Sequence, residues 1–291
     1  MFLPRRILEE RLRQILAEDV GQGDISTELV VPAGITAKAE VVSKDQGVVA
    51  GIEEAEILLE SLDLEVEALV RDGEEVERNQ VLFRICGDAR TILSVERTLL
   101  NVLSRMSGIA TATRNVIEQL QGSGFKTRVA CTRKTAPGLL YFDKKAVLLG
   151  GGDTHRLHLD DMILIKDNHV SLAGSVRKAV VKAKEHASLS KKIEVEVSNI
   201  EDVMAAVEAG ADIVMLDNFS PKRVEKAVAL LKKKGLRGCV VLEASGGITS
   251  GNVVEFASSG VDLVSMGEIT HSTRALNMSL EVMPVKKGRS T

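Results

Sequence analysis

The chain has no tryptophan, one tyrosine and six phenylalanines, so aromatics make up only 2% of its 291 residues. Because 44% of the residues are hydrophobic, a core of ordinary size has to be built from aliphatic side chains. The three cysteines, Cys86, Cys131 and Cys239, are odd in number and far apart. With no CxxC pair and no Cys/His cluster they point to neither a disulfide framework nor a zinc site, and they read as small buried hydrophobes in a reducing compartment. No stretch approaches the roughly 18 consecutive apolar residues of a membrane span. The opening MFLPRRILEERLRQ is charged where a signal peptide would carry its apolar core. A cytoplasmic protein with no membrane partner is expected. The net charge of −3 gives no overall basic field, so nucleic acid is not an expected partner and any cationic site must be local.

The length suits two domains, or one barrel with an appendage. Ile7, Leu8, Leu12, Ile15 and Leu16 recur at helical spacing before the loop GQGD. Between about 35 and 85 the pattern turns to strands (ITAKAEVVSK, QGVVAG, LEVEALV, VLFRI), interrupted by a short helix at 53–62. A helical stretch from Ala89 to about Gln121 follows, with a break expected at Ser107-Gly108. This first third reads as an α/β sandwich. RDGEEVERNQVLFRICGD also has the look of a biotinyl or lipoyl carrier hairpin, for which Lys44 is the one weak candidate lysine. Beyond residue 122, six β-branched strands (KTRVAC, DMILIKD, KKIEVEV, ADIVMLD, GCVVLEA, VDLVSM) alternate with amphipathic helices. One helix has Ser198 as expected N-cap; another has Ser220 at N-cap and Pro221 at N1. Such alternation implies a parallel sheet with right-handed crossovers. The expected fold is α/β, with an N-terminal sandwich over 1–110 and an incomplete, six- or seven-stranded βα barrel over 111–275. A tail over 276–291 is expected to pack back on the N-terminal domain.

Polar residues at nearly every strand end favour a barrel, whose strand C-termini converge on one mouth. After the first strand stand Thr132, Arg133 and Lys134. Arg offers a planar fork to carboxylate or phosphate and Lys a compact point charge, although a solvated basic turn is the plain alternative. GGGDTHR (150–156) joins a glycine run to His155 and Arg156, a donor and a permanent cation for an anion. Lys166 ends LIK, where it can neutralise a phosphate or, with a depressed pKa, form a Schiff base. Glu196 and Asp217 end successive strands and are candidate ligands for Mg²⁺, a hard ion whose shell substrate phosphates complete; Glu194 shares the parity of Glu196. ASGGIT and MGEITHS, read as turns opening helices, offer backbone N–H groups of Ser245, Gly246, Gly247, Met266, Gly267 and Glu268 to phosphate, with His271 at the start of the final helix.

Taken in order, EDVGQGDIST (18–27), VERTLLNVLSRMSGIAT (95–111), TRKTAPGL (132–139), GGGDTHR, LIKDNH, EVEV, GADIVMLDNF, EASGGI and THS resemble the quinolinate phosphoribosyltransferase family over nearly the whole chain. The resemblance implies transfer of phosphoribosyl from phosphoribosyl pyrophosphate to quinolinate with decarboxylation. The products implied are nicotinate mononucleotide, CO₂ and pyrophosphate, with Mg²⁺ as cofactor. It implies a homodimer with shared sites, a higher assembly of dimers being left open, in which Arg97 reaches the neighbouring subunit's site. It also implies that Arg133, His155 and Arg156 hold the quinolinate carboxylates, with Lys134 and Lys166 near the phosphoribosyl donor. Glu196 and Asp217 match the ribose- and magnesium-side carboxylates, and the two glycine turns match the 5′-phosphate site. The chain departs from the family pattern at Leu140, at KKAVLL before the glycine run, and at Glu268. Another pyridine-carboxylate phosphoribosyltransferase, or a Schiff-base aldolase using Lys166, remains the alternative.

Overall fold

The structure, a computed structural model, describes residues 3–284. In order these form α1 (Arg5–Val20), α2 (Ile25–Val30), β1 (Thr36–Ser43), β2 (Gly47–Val48), α3 (Ile52–Glu60), β3 (Glu65–Ala68), β4 (Glu75–Val76), β5 (Val81–Asp88) and α4 (Ala89–Gly122). Then come β6 (Arg128–Cys131), α5 (Leu140–Leu149), β7 (Ile163–Ile165), α6 (Asp167–Ala173), α7 (Val176–His186), β8 (Ile193–Val197), α8 (Ile200–Ala209) and β9 (Ile213–Asp217). The remaining elements are α9 (Pro221–Lys233), β10 (Val241–Ser245), α10 (Val253–Ser258), β11 (Leu263–Met266), α11 (Glu268–His271) and β12 (Met278–Pro284). No helix among the described residues is long and apolar enough to cross a membrane. The cysteines are all free: Cys131 is buried, but Cys86 is half-buried and Cys239 exposed, so only one of them is the buried hydrophobe expected.

Two compact units result. One takes the chain up to residue 112, segment 141–150 and the chain beyond 272; the other takes 113–140 and 151–272. Segment 141–150, read from sequence as part of the barrel domain, thus groups with the N-terminal unit. The reason is visible in its buried charges. Asp143 accepts two bonds from Arg105, at 2.7 and 2.8 Å. Lys145 lies 2.5 Å from Glu53 and 2.8 Å from the fully buried Glu54, to which Tyr141 also donates. An ammonium with so little exposure needs opposite charge close by. Asp72 completes the cluster and accepts the N–H groups of Gly51, Ile52 and Glu53, closing the open end of α3.

The first unit carries an antiparallel sheet in the order β12-β1-β5-β3. Alternation along β1 puts Ala37, Ala39 and Val41 inside, where they join Phe83 and Ile85 of β5 in the core. The tail therefore contributes a strand, β12, to this sheet; residues 285–291 lie outside the described residues. Lys44 follows β1 directly, with its amine 2.6 Å from Glu281, which removes it as the free hairpin-tip lysine a carrier needs. Helix α4 runs unbroken through Ser107 and Gly108, correcting the expected break. Gly108 serves close approach instead: a Cβ there would lie 2.9 Å from Ala275 Cα and collide with the Arg274 carbonyl. Gly108→Ala is therefore expected to lower unfolding free energy by about 1–3 kcal/mol in denaturant titration, whereas an unchanged midpoint would mean that this approach is not tight in solution.

The second unit is a parallel six-stranded sheet in the order β6-β11-β10-β9-β8-β7, an incomplete βα barrel. Ile193, Val195 and Val197 are buried on one face of β8, while Glu194, also buried, and Glu196 share the other. Beside β6 the chain after the glycine run adds one short ladder: Asp153 N donates to Val129 O at 2.7 Å, and Cys131 N donates to Asp153 O at 3.1 Å. The N-cap of α8 is Asn199, whose side chain accepts from Asp202 N at 2.8 Å, rather than Ser198 one residue earlier. Ser220 caps α9 by position, with Pro221 following, but makes no side-chain bond.

Candidate active site

The C-terminal ends of these strands surround a cleft of about 560 Å³ lined entirely by the second unit. Thr132, Arg133, Lys134, His155, Arg156, Lys166, Glu196, Asp217, Ser245, Gly246 and Gly247 all line it, so the parallel topology gathers eleven residues picked from separate motifs.

One side is cationic. Arg133 and Lys134 leave β6 exposed, in a turn where Lys134 N donates to the Thr132 hydroxyl at 3.1 Å. The short ladder beside β6 delivers His155 and Arg156 next to them. Arg156 is 8% exposed, and burial, followed by the like charge of Arg133, holds its pKa below the ordinary arginine value. Among the described residues no carboxylate lies within ion-pairing distance of Arg133, Lys134 or Arg156, although Glu194 and Glu196 act on Arg156 from further away. A crowd of cations without acid partners is the arrangement an anionic ligand completes.

His155 is different. Its φ of 52° is left-handed, and its N–H is fixed by Asp153 at 2.7 Å. Its Nε2 lies 3.1 Å from Glu194 Oε2 and 3.2 Å from Glu243 Oε2, both carboxylates being fully buried. Burial alone would lower the imidazole's pKa, but hydrogen bonding and charge from both glutamates outweigh it and push the value up to about 10. For Glu194, burial dominates and raises the pKa against the lowering effect of His155.

The other side carries carboxylates. Glu196 Oε1 accepts from Lys166 Nζ at 2.6 Å, and Asp217 Oδ2 from Asn218 Nδ2 at 2.9 Å. The second oxygen of each has no protein partner among the described residues. Two hard oxygens on adjacent strands, with phosphate and water to complete the shell, fit Mg²⁺. The Lys166 amine is engaged by Glu196 at 2.6 Å and not held in an apolar pocket, which weighs against the aldolase alternative.

Gly246 and Gly247 adopt φ of 94° and 63°, and Asn218, itself at 54°, donates its N–H to Ser245 O at 2.9 Å. A Cβ on Gly246 would lie 2.9 Å from the Asn218 backbone nitrogen, whereas one on Gly247 would meet nothing within 4 Å. The turn does not open a helix directly, because α10 begins only at Val253 and is six residues long; any phosphate contact must come from the turn's own N–H groups. Nor does the second motif line the cleft. Met266 is fully buried, and Glu268 accepts from Ser250 N at 2.8 Å, outside the lining. His271 ends the four-residue α11 instead of starting it and pairs with Ser272 at 2.6 Å. The second turn meets the site at Lys134, where Thr270 Oγ1 donates to the Lys134 carbonyl at 2.8 Å and a Cβ on Gly267 would lie 3.2 Å from Lys134 Cδ. Arg97 is exposed on α4 in the first unit.

Glu243 and Ser265 also line the cleft, and sequence reasoning passed over both. Parity carried the signal for Glu243: it precedes Ser245 by two, as Glu194 precedes Glu196, so it too faces inward.

Fold and cleft together define a βα-barrel enzyme. Residues 24–107 match the model of the quinolinate phosphoribosyl transferase N-terminal domain, and residues 109–281 that of its C-terminal domain. The chain belongs to the quinolinate phosphoribosyltransferase family. It is 44% identical to the probable nicotinate-nucleotide pyrophosphorylase (carboxylating) of Methanothermobacter thermautotrophicus over 94% of this chain and 99% of that one. With the Homo sapiens nicotinate-nucleotide pyrophosphorylase (carboxylating) it shares 38% identity over 89% of this chain and 88% of that protein. The solved nicotinate-nucleotide pyrophosphorylase of Francisella tularensis superposes with a TM-score of 0.88 at 39% identity, covering 97% and 98% of the two chains.

Gly246→Ala is expected to cost about 2–4 kcal/mol in denaturant titration, from left-handed backbone plus collision, against about 1 kcal/mol for Gly247→Ala, where only the backbone contributes. Equal costs at the two positions would contradict the close approach of Asn218.

Proposed function

We propose that the protein transfers phosphoribosyl from phosphoribosyl pyrophosphate to quinolinate, giving nicotinate mononucleotide, CO₂ and pyrophosphate. The observation that carries this reading is the set of cations at Arg133, Lys134 and Arg156 with no acid in ion-pairing distance among the described residues, beside His155, in a chain whose relatives are named nicotinate-nucleotide pyrophosphorylases. Quinolinate carries two adjacent carboxylates, and guanidinium forks suit them.

In this reading Arg133, His155 and Arg156 orient the pyridine dicarboxylate so that its ring nitrogen faces C1 of the ribose. The bond from C1 to the pyrophosphate oxygen breaks as the nitrogen bonds to C1. Positive charge develops on the ribose, near Glu196 and Asp217, and negative charge on the departing pyrophosphate, near Lys134 and Lys166. Mg²⁺, held by Glu196 and Asp217 with phosphate oxygens, would supply further charge neutralisation to the leaving group. The ring nitrogen, now cationic, stabilises the electron pair left when the carboxyl beside it departs as CO₂, and that carbon takes a proton. The turn at Ser245, Gly246 and Gly247 offers its N–H groups to the 5′-phosphate.

We also assign the working form to a homodimer with Arg97 entering the partner's site. Ile25, Leu29 and Val30, 71%, 80% and 78% exposed on α2, supply apolar surface for a second copy. Three free cysteines fit a cytoplasmic setting.

The protein incubated with quinolinate, phosphoribosyl pyrophosphate and Mg²⁺ is expected to form nicotinate mononucleotide. No product, or equal turnover of nicotinate, contradicts the assignment. Inactive Arg97→Ala and Lys166→Ala chains, mixed under conditions of subunit exchange, are expected to regain activity; continued inactivity of a mixed dimer argues against the shared site.

A further inference from the structure

The reaction as described makes no use of the two buried carboxylates behind His155. Glu194 enters from β8 and Glu243 from β10, each with 0% exposure. Glu243 has a second partner, the Ser265 hydroxyl, which donates to its other oxygen at 2.5 Å. Glu194 has none: neither oxygen makes a hydrogen bond of good geometry, although Oε2 lies 3.1 Å from His155 Nε2. A fully buried carboxylate without a protein donor is costly unless a cation stands against it. His155 Nε2 is the only cationic atom within ion-pairing distance of either glutamate among the described residues. The imidazole ring is 10% exposed, lines the cleft, and has no partner for Nδ1 among the described residues.

We propose that Glu194 and Glu243 are positioning residues for the reaction: they hold His155 as an imidazolium that presents Nδ1–H to one carboxylate of the substrate. The identity of that carboxylate rests on the quinolinate reading; the charge state of the ring does not. One proton on Nε2 is shared between two acids, which fixes the ring's orientation, and the second, on Nδ1, is left for the ligand. The pKa of about 10 agrees with this geometry. Other charged groups around the cleft are Arg133, Lys134 and Arg156 on the His155 side, Lys166 from β7, Glu196 from β8 and Asp217 from β9, while Asp153 holds the His155 N–H. The cations oppose protonation and the remaining acids favour it, but only Glu194 and Glu243 reach the ring. With a folded pKa raised from 6.5, the ring's charge contributes fully below that value and is lost as pH climbs through about 10. Quinolinate binding should therefore stay flat through the neutral range instead of weakening above 6.5.

The same three groups also converge closely enough for a metal ion, with ligand atoms within 4.8 Å of one another. One experiment separates the two readings. The full-length protein, with its histidine rings labelled with ¹⁵N, is titrated from pH 6 to 10, the His155 signals being assigned by their loss in His155→Asn. Doubly protonated ring shifts persisting past pH 8, unmoved by EDTA or by added Mg²⁺ or Zn²⁺, are expected. A neutral ring at pH 7, or shifts that follow the metal, overturn the proposal. In Glu243→Gln, which keeps the shape and removes the charge, the ring is expected to titrate at least about one unit lower. KM for quinolinate should then rise about tenfold per pH unit above that point, with kcat much less affected. Titration at the wild-type pH in a folded Glu243→Gln protein overturns the proposal, and if that variant does not fold, the wild-type spectrum decides alone. Should quinolinate prove not to be a substrate, the spectrum still reports the charge state, so failure of the functional reading and failure of this one are distinguishable.

Discussion

A charge drawn into a partly desolvated cleft needs a counter-charge, from the protein or from a ligand, and the arrangement of this site follows from which of its charges the protein itself matches. Lys166 is matched by Glu196 at 2.6 Å, and His155 by Glu194 and Glu243. Arg133, Lys134 and Arg156 are matched by nothing at ion-pairing distance among the described residues. The internal pairs fix geometry, and the unmatched cations are the ones with charge to offer a ligand. The site is thereby sorted into a cationic half and a carboxylate half although the chain as a whole carries only −3.

The parallel sheet makes this sorting possible. All six strands run in one direction, so every residue just past a strand lies at the same rim. Residues two positions earlier, Glu194 and Glu243, face the same interior one layer deeper and support what stands above them. The short ladder between Asp153 and β6 matters for the same reason. It extends the rim by one segment and brings His155 and Arg156 over the interior without a full seventh strand.

Much of this was legible in the sequence because hydrophobic periodicity reports local structure directly. The six barrel strands, and the polar residues at the ends of five of them, are where alternation and β-branching put them. What stayed hidden depends on contacts between distant segments. Gly108 resembles a helix break, but its reason is the Arg274–Ala275 backbone packed on α4. Lys145 looks like a surface lysine until Glu53 and Glu54 are found around it. Glu243 reads as an ordinary polar residue in a strand, and only the meeting of β10 with the glycine-run segment brings His155 against it. His271 and the short α11 were misplaced because four residues carry too little pattern to fix a boundary.

The central claim is that the unmatched cations are there for a second substrate carboxylate. Calorimetric titration of the protein with quinolinate and with nicotinate, which lacks the second carboxylate, tests this without any turnover. Charge-assisted hydrogen bonds contribute about 1.5–3 kcal/mol each, so quinolinate should bind about ten- to a hundredfold more tightly, by a margin that shrinks as salt is raised. Equal dissociation constants for the two compounds, unaffected by salt, would contradict the account.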